Sequence, residues 1–381
     1  MNSLREIVEQ SPRMRGLALQ IKGQDDSPQP LGPSQWDWTD VNRVLIVRLR
    51  SIGDTVLATP SIFALKRFLP HAQIDILLED WVAPLLSSFP HVDNVITLDR
   101  ASVVSRAQVA RKLRQTRYDV AYNLHGGTTA TLLTRASGAK HRVGFKSYQY
   151  ARLHNHLSPS PIMLWGRDKT HSVEQQLALL GWTGVPVTDR PSTGLGISSE
   201  ASTRIRDRLA AAGINDNRSF ALIHPAAAFA TKQWAVEKFA KVMEDLAARS
   251  IPSVILVAPR ERDLGGKLEK ISSAPAIVLN DLALPEVVAL CGRARLFIGN
   301  DSGIAHIAAA MDTPSVVIFG SSNRVHWQPW SKAPAEVVYE EMPCQPCHGY
   351  FCEKFDRPEC IIRVPVERVV VAMDRVLKDA A

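Results

Sequence analysis

The chain reads as an α/β protein built from two doubly wound, Rossmann-like domains that face a central cleft, and three observations carry that reading. Short apolar runs alternate with segments of helical period, first over about 44–122 and again from 220 onward. Between the two blocks lies a stretch at 186–199 rich in Pro, Gly, Ser and Thr, the composition of a connection. The length, 381 residues, suffices for two separate cores at roughly 100–200 residues per domain.

In the first block Val44–Val47 is a short strand. A helix over Thr55–Phe68 follows, with Ala58, Ile62, Leu65 and Leu69 on one face and Pro60 bending its first turns. Ile74–Leu78, Val95–Leu98 and Asp119–Tyr122 are the next strands, and such alternation calls for a parallel sheet covered on both faces. In the second block strands at Phe220–Ile223, Ser253–Ala258, Leu296–Gly299 and Ser315–Gly320 alternate with helices at Ala235–Ala248 and Ser302–Met311. Pro365 starts a last helix whose apolar face is Val366, Val369, Val370, Met373, Val376 and Leu377. The expected organisation is a flexible extension at 1–40, a first domain at 41–190, a connection at 191–214, a second domain at 215–364 and a terminal helix at 365–381.

Composition narrows the function. Apolar content of 45% and charged content of 22% are those of a soluble globular protein. A net charge of +7 favours an acidic partner, whether nucleotide diphosphate, phosphorylated lipid or nucleic acid. No apolar run reaches the roughly 18 residues of a membrane span and no signal peptide precedes the first charged segment, so a cytoplasmic protein is expected. In the extension, Leu4, Ile7, Val8, Met14, Leu17, Leu19 and Ile21 interleave with Arg5, Arg13, Arg15 and Lys22, a pattern that reads as a loosely docked tail before it reads as a segment lying on an anionic membrane surface. Ser11-Pro12 interrupts any helix there, and Asp25–Pro30 reads as linker.

The run Leu296–His306 is the most informative for chemistry: a strand ends in Asp301-Ser302-Gly303 and opens a helix of small residues. Free N–H groups and the positive helix end suit an anion there, and Gly303 lets a phosphate approach without a Cβ in the way. Asp301 either accepts hydrogen bonds from sugar hydroxyls or, with Ser302, caps the helix. Asp54, on the loop after the first strand, is either a helix cap or a catalytic base. Lys232, after the first strand of the second block, pairs with a diphosphate or is a solvated loop lysine, and Trp234 anchors that loop by packing. Glu261, at another strand end, binds ribose hydroxyls or is a helix-start carboxylate. Cys344, Cys347, Cys352 and Cys360 form a C-x₂-C-x₄-C-x₇-C cluster within the loop 344–360, which either surrounds a structural zinc or iron or packs reduced, and which would pin the last helix. Cys291 stands apart, in a core helix. No Walker lysine motif, dinucleotide fingerprint or serine nucleophile elbow is found.

Arg48–Pro60, His224-Pro225 through Lys232-Gln233-Trp234, and Asn300–Ala310, taken in this order with the Cys-x₂-Cys loop, resemble glycosyltransferase family 9, the ADP-heptose:lipopolysaccharide heptosyltransferases. The resemblance runs from about Asn42 to the C terminus. It implies a GT-B architecture, inverting transfer that needs no metal or other cofactor, a nucleotide-sugar donor on the second domain and a lipopolysaccharide-core or other glycan acceptor on the first. It further implies Asp54 as base, Lys232 with the N–H groups near Ser302 and Gly303 at the diphosphate, and Asp301 at the sugar. His306 orients the loop or is a satisfied helix residue. The partners implied include the cytoplasmic face of the inner membrane and exclude nucleic acid. Two features depart from the family: Pro225–Ala228 stands where members carry Gly or Thr, leaving backbone contacts to the diphosphate, and the start is not compact. Rival classes are an epimerase of the same architecture, which needs no acceptor, and a nonenzymatic module built on the Cys cluster.

Overall fold

The structure, a computed structural model, describes residues 27–215, 219–347 and 350–380. The apolar–basic segment Leu4–Lys22 and Asp25-Asp26 lie outside the described residues. Residues 27–40, expected within a flexible extension, are docked on the first domain. The Leu31 N–H donates to the Gly181 carbonyl at 2.9 Å, and the buried Trp38 indole donates to the Thr183 carbonyl at 3.1 Å. Trp36 stacks on His141 with ring centroids 4.4 Å apart. Two indoles outweigh the Pro- and Ser-rich composition, because each removes a large apolar area from water on docking.

The first sheet contains β1 (Arg43–Val47), β2 (Gln73–Glu79), β3 (Asn94–Leu98), β4 (Val120–Asn123), β5 (His141–Phe145) and β6 (His156–Ser158). Its helices are α1 (Ile52–Val56), α2 (Thr59–Phe68), α3 (Val103–Thr116), α4 (Thr128–Ala136), α5 (Pro161–Trp165) and α6 (Ser172–Gly181). After α7 (Ser199–Ala211) the second sheet contains β7 (Ala221–His224), β8 (Ser253–Leu256), β9 (Ala276–Leu279), β10 (Leu296–Asn300), β11 (Ser315–Phe319) and β12 (Ala335–Tyr339). With it go α8 (Val236–Ala248), α9 (Arg262–Ile271), α10 (Leu284–Arg293), α11 (Gly303–Ala310), α12 (Arg324–Trp327), α13 (Glu359–Ile362) and α14 (Val366–Asp379). Both sheets are six-stranded and parallel, in the orders β3-β2-β1-β4-β5-β6 and β12-β11-β10-β7-β8-β9. Each is therefore a doubly wound sheet with helices on both faces, as the alternation predicted.

Two expectations change. The helix expected over Thr55–Phe68 is two helices, α1 and α2, because Pro60 has no N–H to give the Val56 carbonyl. The Thr59 hydroxyl donates to that carbonyl instead, at 2.7 Å. The segment 191–214, expected as connection, holds α7, which buries Ala201, Ile205 and Leu209 and is capped by Ser198. That stripe has helical spacing, but the surrounding Ser, Thr, Glu and Arg conceal it.

Trp234 is the anchor of the second domain. It is fully buried; its indole donates to the Val364 carbonyl at 3.0 Å, and the Lys238 ammonium donates to the same carbonyl at 2.6 Å, tying the chain ahead of α14 to α8. Trp234→Ala leaves a large cavity and frees that carbonyl, so a loss of about 3–5 kcal/mol is expected, read as a lowered urea midpoint.

Candidate active site

In a doubly wound sheet the crevice opens where strand order reverses, because the connections leaving two neighbouring strands there go to opposite faces. The reversals fall between β1 and β4 and between β7 and β10. Asp54 follows β1, Lys232 follows β7, and Asp301, Ser302 and Gly303 follow β10, so the sequence candidates collect at the two crevices.

Asp54 lies in the first turn of α1. Its Oδ2 accepts the Ser51 N–H and hydroxyl, both at 3.1 Å, and its Oδ1 is paired with the Arg48 guanidinium. Arg48 in turn donates to the Leu124 carbonyl beyond β4, so the pair spans the crevice. Burial pushes the Asp54 carboxyl up, but Arg48, the two Ser51 donors and His125 outweigh it and hold the group below the ordinary carboxylate range. The side chain keeps 23% exposure, which leaves an edge open to the cleft. It is both a capping carboxylate and an accessible anion. His125, on the loop after β4, is pushed down to about 4 by burial and then by Arg48, and is a neutral imidazole at neutral pH.

On the facing domain the Lys232 ammonium donates to Asp301 Oδ2 at 2.8 Å, and the Ser322 hydroxyl donates to the same oxygen. Asp301 is 5% exposed, and Ser302 caps α11 by accepting the Ala305 N–H at 3.4 Å. Lys232 is therefore not a free loop lysine. Asn300 holds the loop in register: its side chain accepts the Trp234 N–H at 3.0 Å and donates to the Pro225 carbonyl at 2.8 Å.

Gly303 meets the other domain. A Cβ there would lie 2.8 Å from the Ile52 Cβ, so the space it leaves is filled by α1. Gly53 is its counterpart, since a Cβ there would lie 2.6 Å from the His306 ring. His306 is buried, its Nδ1 has no partner among the described residues, and burial pushes its imidazole down against the opposing pull of Asp301 and Asp54. Glu261 Oε2 accepts the Ala258 N–H at 3.0 Å, the helix-start arrangement.

Cys344, Cys347 and Cys352 are half-buried, Cys360 is buried, and all are reduced. Among the described residues no group of three or more His, Cys, Asp or Glu side chains converges as a metal ligand set. The loop does more than precede the last helix: the Cys347 N–H donates to the Ser321 carbonyl at 2.9 Å, and the Tyr350 ring meets Phe229 edge-on at 4.6 Å. It is thus attached to the strand tip that carries Ser322 and to the Lys232 loop. Sequence reasoning passed over Arg48, His125, Asn300 and Ser322. Only Arg48 and Asn300 offered a signal, each standing at or just after a strand end, within the runs that carry the resemblance.

Twin doubly wound domains facing a cleft are the GT-B architecture. A family model described as glycosyltransferase family 9 (heptosyltransferase) matches residues 106–355. Lipopolysaccharide heptosyltransferase 3 of Escherichia coli strain K12 is 30% identical, over 87% of this chain and 97% of its own. The ADP-heptose LPS heptosyltransferase II structure from E. coli superposes with a TM-score of 0.73 at 21% identity, covering 88% of this chain and 98% of its own. A family 9 glycosyl transferase structure from Veillonella parvula DSM 2008 gives 0.77 at 20% identity, covering 88% and 97%. The chain belongs to glycosyltransferase family 9.

The contact between Gly53 and His306 yields a test. Gly53→Ala forces a Cβ into a buried ring, so the domains cannot approach to the same distance without an overpacking cost of about 1–3 kcal/mol. The variant should fold with a normal melting profile in each domain, show a larger radius of gyration by solution scattering, and turn over more slowly.

Proposed function

We propose that this protein is an inverting heptosyltransferase that moves heptose, or a related sugar, from ADP-heptose to the lipopolysaccharide core or another glycan acceptor, with no cofactor needed for transfer. The observation that carries the reading is a partly exposed carboxylate, Asp54, in the first turn of α1, which packs against the start of α11, two residues after the Asp301 that pairs with Lys232. Donor would lie on the second domain. Lys232 and the N–H groups near Ser302 and Gly303 would meet the diphosphate, Asp301 the sugar hydroxyls, and Glu261 the ribose, while His306 would hold the loop against α1. Asp301 keeps the ammonium in place before donor arrives, and the charge then acts on the growing negative charge of the departing diphosphate.

The first domain would take the acceptor. Its hydroxyl oxygen attacks the anomeric carbon as the bond to the diphosphate oxygen breaks; the proton passes to Asp54 and the electron pair leaves with ADP. One displacement inverts the centre. A carboxylate held below its ordinary range is a weak base that is ionised at neutral pH, so proton transfer comes late, when bond formation has made the hydroxyl acidic. The acceptor would be lipid-linked and met at the cytoplasmic face of the inner membrane by peripheral contact; among the described residues no helix is long and apolar enough to cross a membrane.

The test is nucleotide release from ADP-heptose with and without truncated lipopolysaccharide; release that ignores the acceptor favours the epimerase-like alternative. Asp54→Asn should retain ADP binding and lose about 10²–10⁴ in rate, whereas Lys232→Ala should weaken ADP affinity as well. The acid limb of kcat/KM should fall below the ordinary aspartate range. A depressed folded pKa also means that the stability from Asp54 is present above the unfolded value and disappears as pH falls through the folded one.

For the cysteine loop we propose a structural zinc or iron. Burial and then the neighbouring thiols push Cys360 up to about 11, and burial and then Cys344 push Cys347 up. Such an electron-rich group is what a soft cation neutralises. Elemental analysis of untagged protein should find near one metal per chain, and Cys347→Ser should lose it and melt lower. Metal-free protein with four titratable thiols and unaltered melting in the variant would leave the loop as packed, reduced cysteines.

A further inference from the structure

From Val120 to Arg167 the chain contains no aspartate or glutamate, while it carries Arg135, Lys140, Arg142, Lys146, Arg152 and Arg167. This one stretch supplies a positive charge nearly equal to the net charge of the whole chain, +7. It is also contiguous in space. It builds β4, α4, β5, β6 and α5, the flank of the first domain that ends in the edge strand β6.

Large apolar side chains stand exposed on the same flank: Met163 is 73% exposed, Tyr150 59%, Leu132 52% and Ile162 46%. Lys146, Tyr150, Arg152, Leu153 and Leu157 line a groove of about 530 Å³. Arg167 is paired with Glu174, but no ion pair among the described residues engages Lys146 or Arg152. The loop that carries them leaves the carboxyl end of β5, the same edge of the sheet as the Arg48–Asp54 loop. Tyr148 joins the two regions, since its ring fills the space where a Cβ at Gly126 would stand, next to His125.

We propose that this flank is the surface by which the enzyme rests on an anionic phospholipid leaflet, with Met163, Ile162, Tyr150 and Leu132 entering the headgroup boundary and Lys146 and Arg152 meeting lipid phosphates. The inference rests on the lipid-linked acceptor of the proposed function and names the face that reaches it. Cations alone would suit nucleic acid or an acidic protein as well. Exposed Met, Ile and Leu beside unpaired cations, with no acid in the stretch Val120–Arg167, fit a bilayer interface, where apolar burial and attraction to anionic headgroups add. The position beside Asp54 sets the cleft at the membrane, where a lipid-anchored glycan presents its hydroxyl.

The test is cosedimentation of the full chain with vesicles of phosphatidylcholine alone and of phosphatidylcholine mixed with phosphatidylglycerol. Binding to the mixed vesicles, weakened by salt, is expected, and both I162S/M163S and K146E/R152E should lower it by about tenfold or more with unchanged melting. R13E/R15E, in the N-terminal segment, should bind as the parent does. The flank variants should release ADP normally with a deacylated, soluble acceptor. Parent-like partition of both flank variants, loss confined to R13E/R15E, or a parent protein that ignores both vesicles would each overturn the proposal. A parent inactive on soluble acceptor, but showing the expected vesicle pattern, would remove the transferase reading and leave the docking surface standing.

Discussion

The approach of α1 to α11 is the contact on which the arrangement of the site depends. Two glycines make it possible: Gly53 admits the His306 ring and Gly303 admits Ile52, so the starts of two helices from different domains come together. Their positive ends would repel, as like poles do. Asp54 lies in the first turn of α1 and Asp301 two residues ahead of α11, so each helix start carries its own carboxylate. The same two carboxylates that offset this repulsion face the cleft from opposite sides. On the proposed function, structure and chemistry would ask for the same residue at the same place.

The second domain holds its half of the site through short polar links. Asn300 joins β10 to the Lys232 loop, and Ser322 reaches Asp301 from the tip of β11. Ser321 bonds Thr231 twice, backbone to backbone at 3.2 Å and hydroxyl to hydroxyl at 2.9 Å. Gln345 donates to the Gly320 carbonyl at 2.6 Å, which carries the chain of bonds into the cysteine loop. A change in that loop thus bears on the Lys232 turn as well as on the last helix.

Much of this was legible in the sequence, for a physical reason. Central parallel strands are buried on both faces and read as apolar runs, so β1, β2, β7, β10 and β11 stood out. The flank β5–β6 did not: β6, His156-Leu157-Ser158, is too short and too polar to signal itself, and its neighbour β5 begins with His141-Arg142. The positions of Asp54, Lys232 and Asp301 at strand ends followed from the same alternation. Their partners did not, because Arg48–Asp54 pairs across a turn while Ser322–Asp301 and Asn300–Pro225 pair across strands, and no periodicity encodes such closures. Gly303 shows the limit most directly. A glycine at a helix start predicts a close approach, but the sequence is silent on whether a phosphate or a neighbouring domain makes it.

That neighbour has a consequence for how donor is held. With Ile52 beside Gly303, a donor diphosphate bound as proposed would draw its affinity from the N–H groups beyond that contact and from Lys232. The ammonium is shared with Asp301, whose second donor is Ser322. On the proposed function, were the ammonium to turn toward phosphate, Asp301 would stay hydrogen-bonded on Oδ2, which would spare the site a buried, unpartnered carboxylate oxygen. The serine at the tip of β11 would then let one lysine serve an internal carboxylate before binding and a leaving diphosphate during transfer.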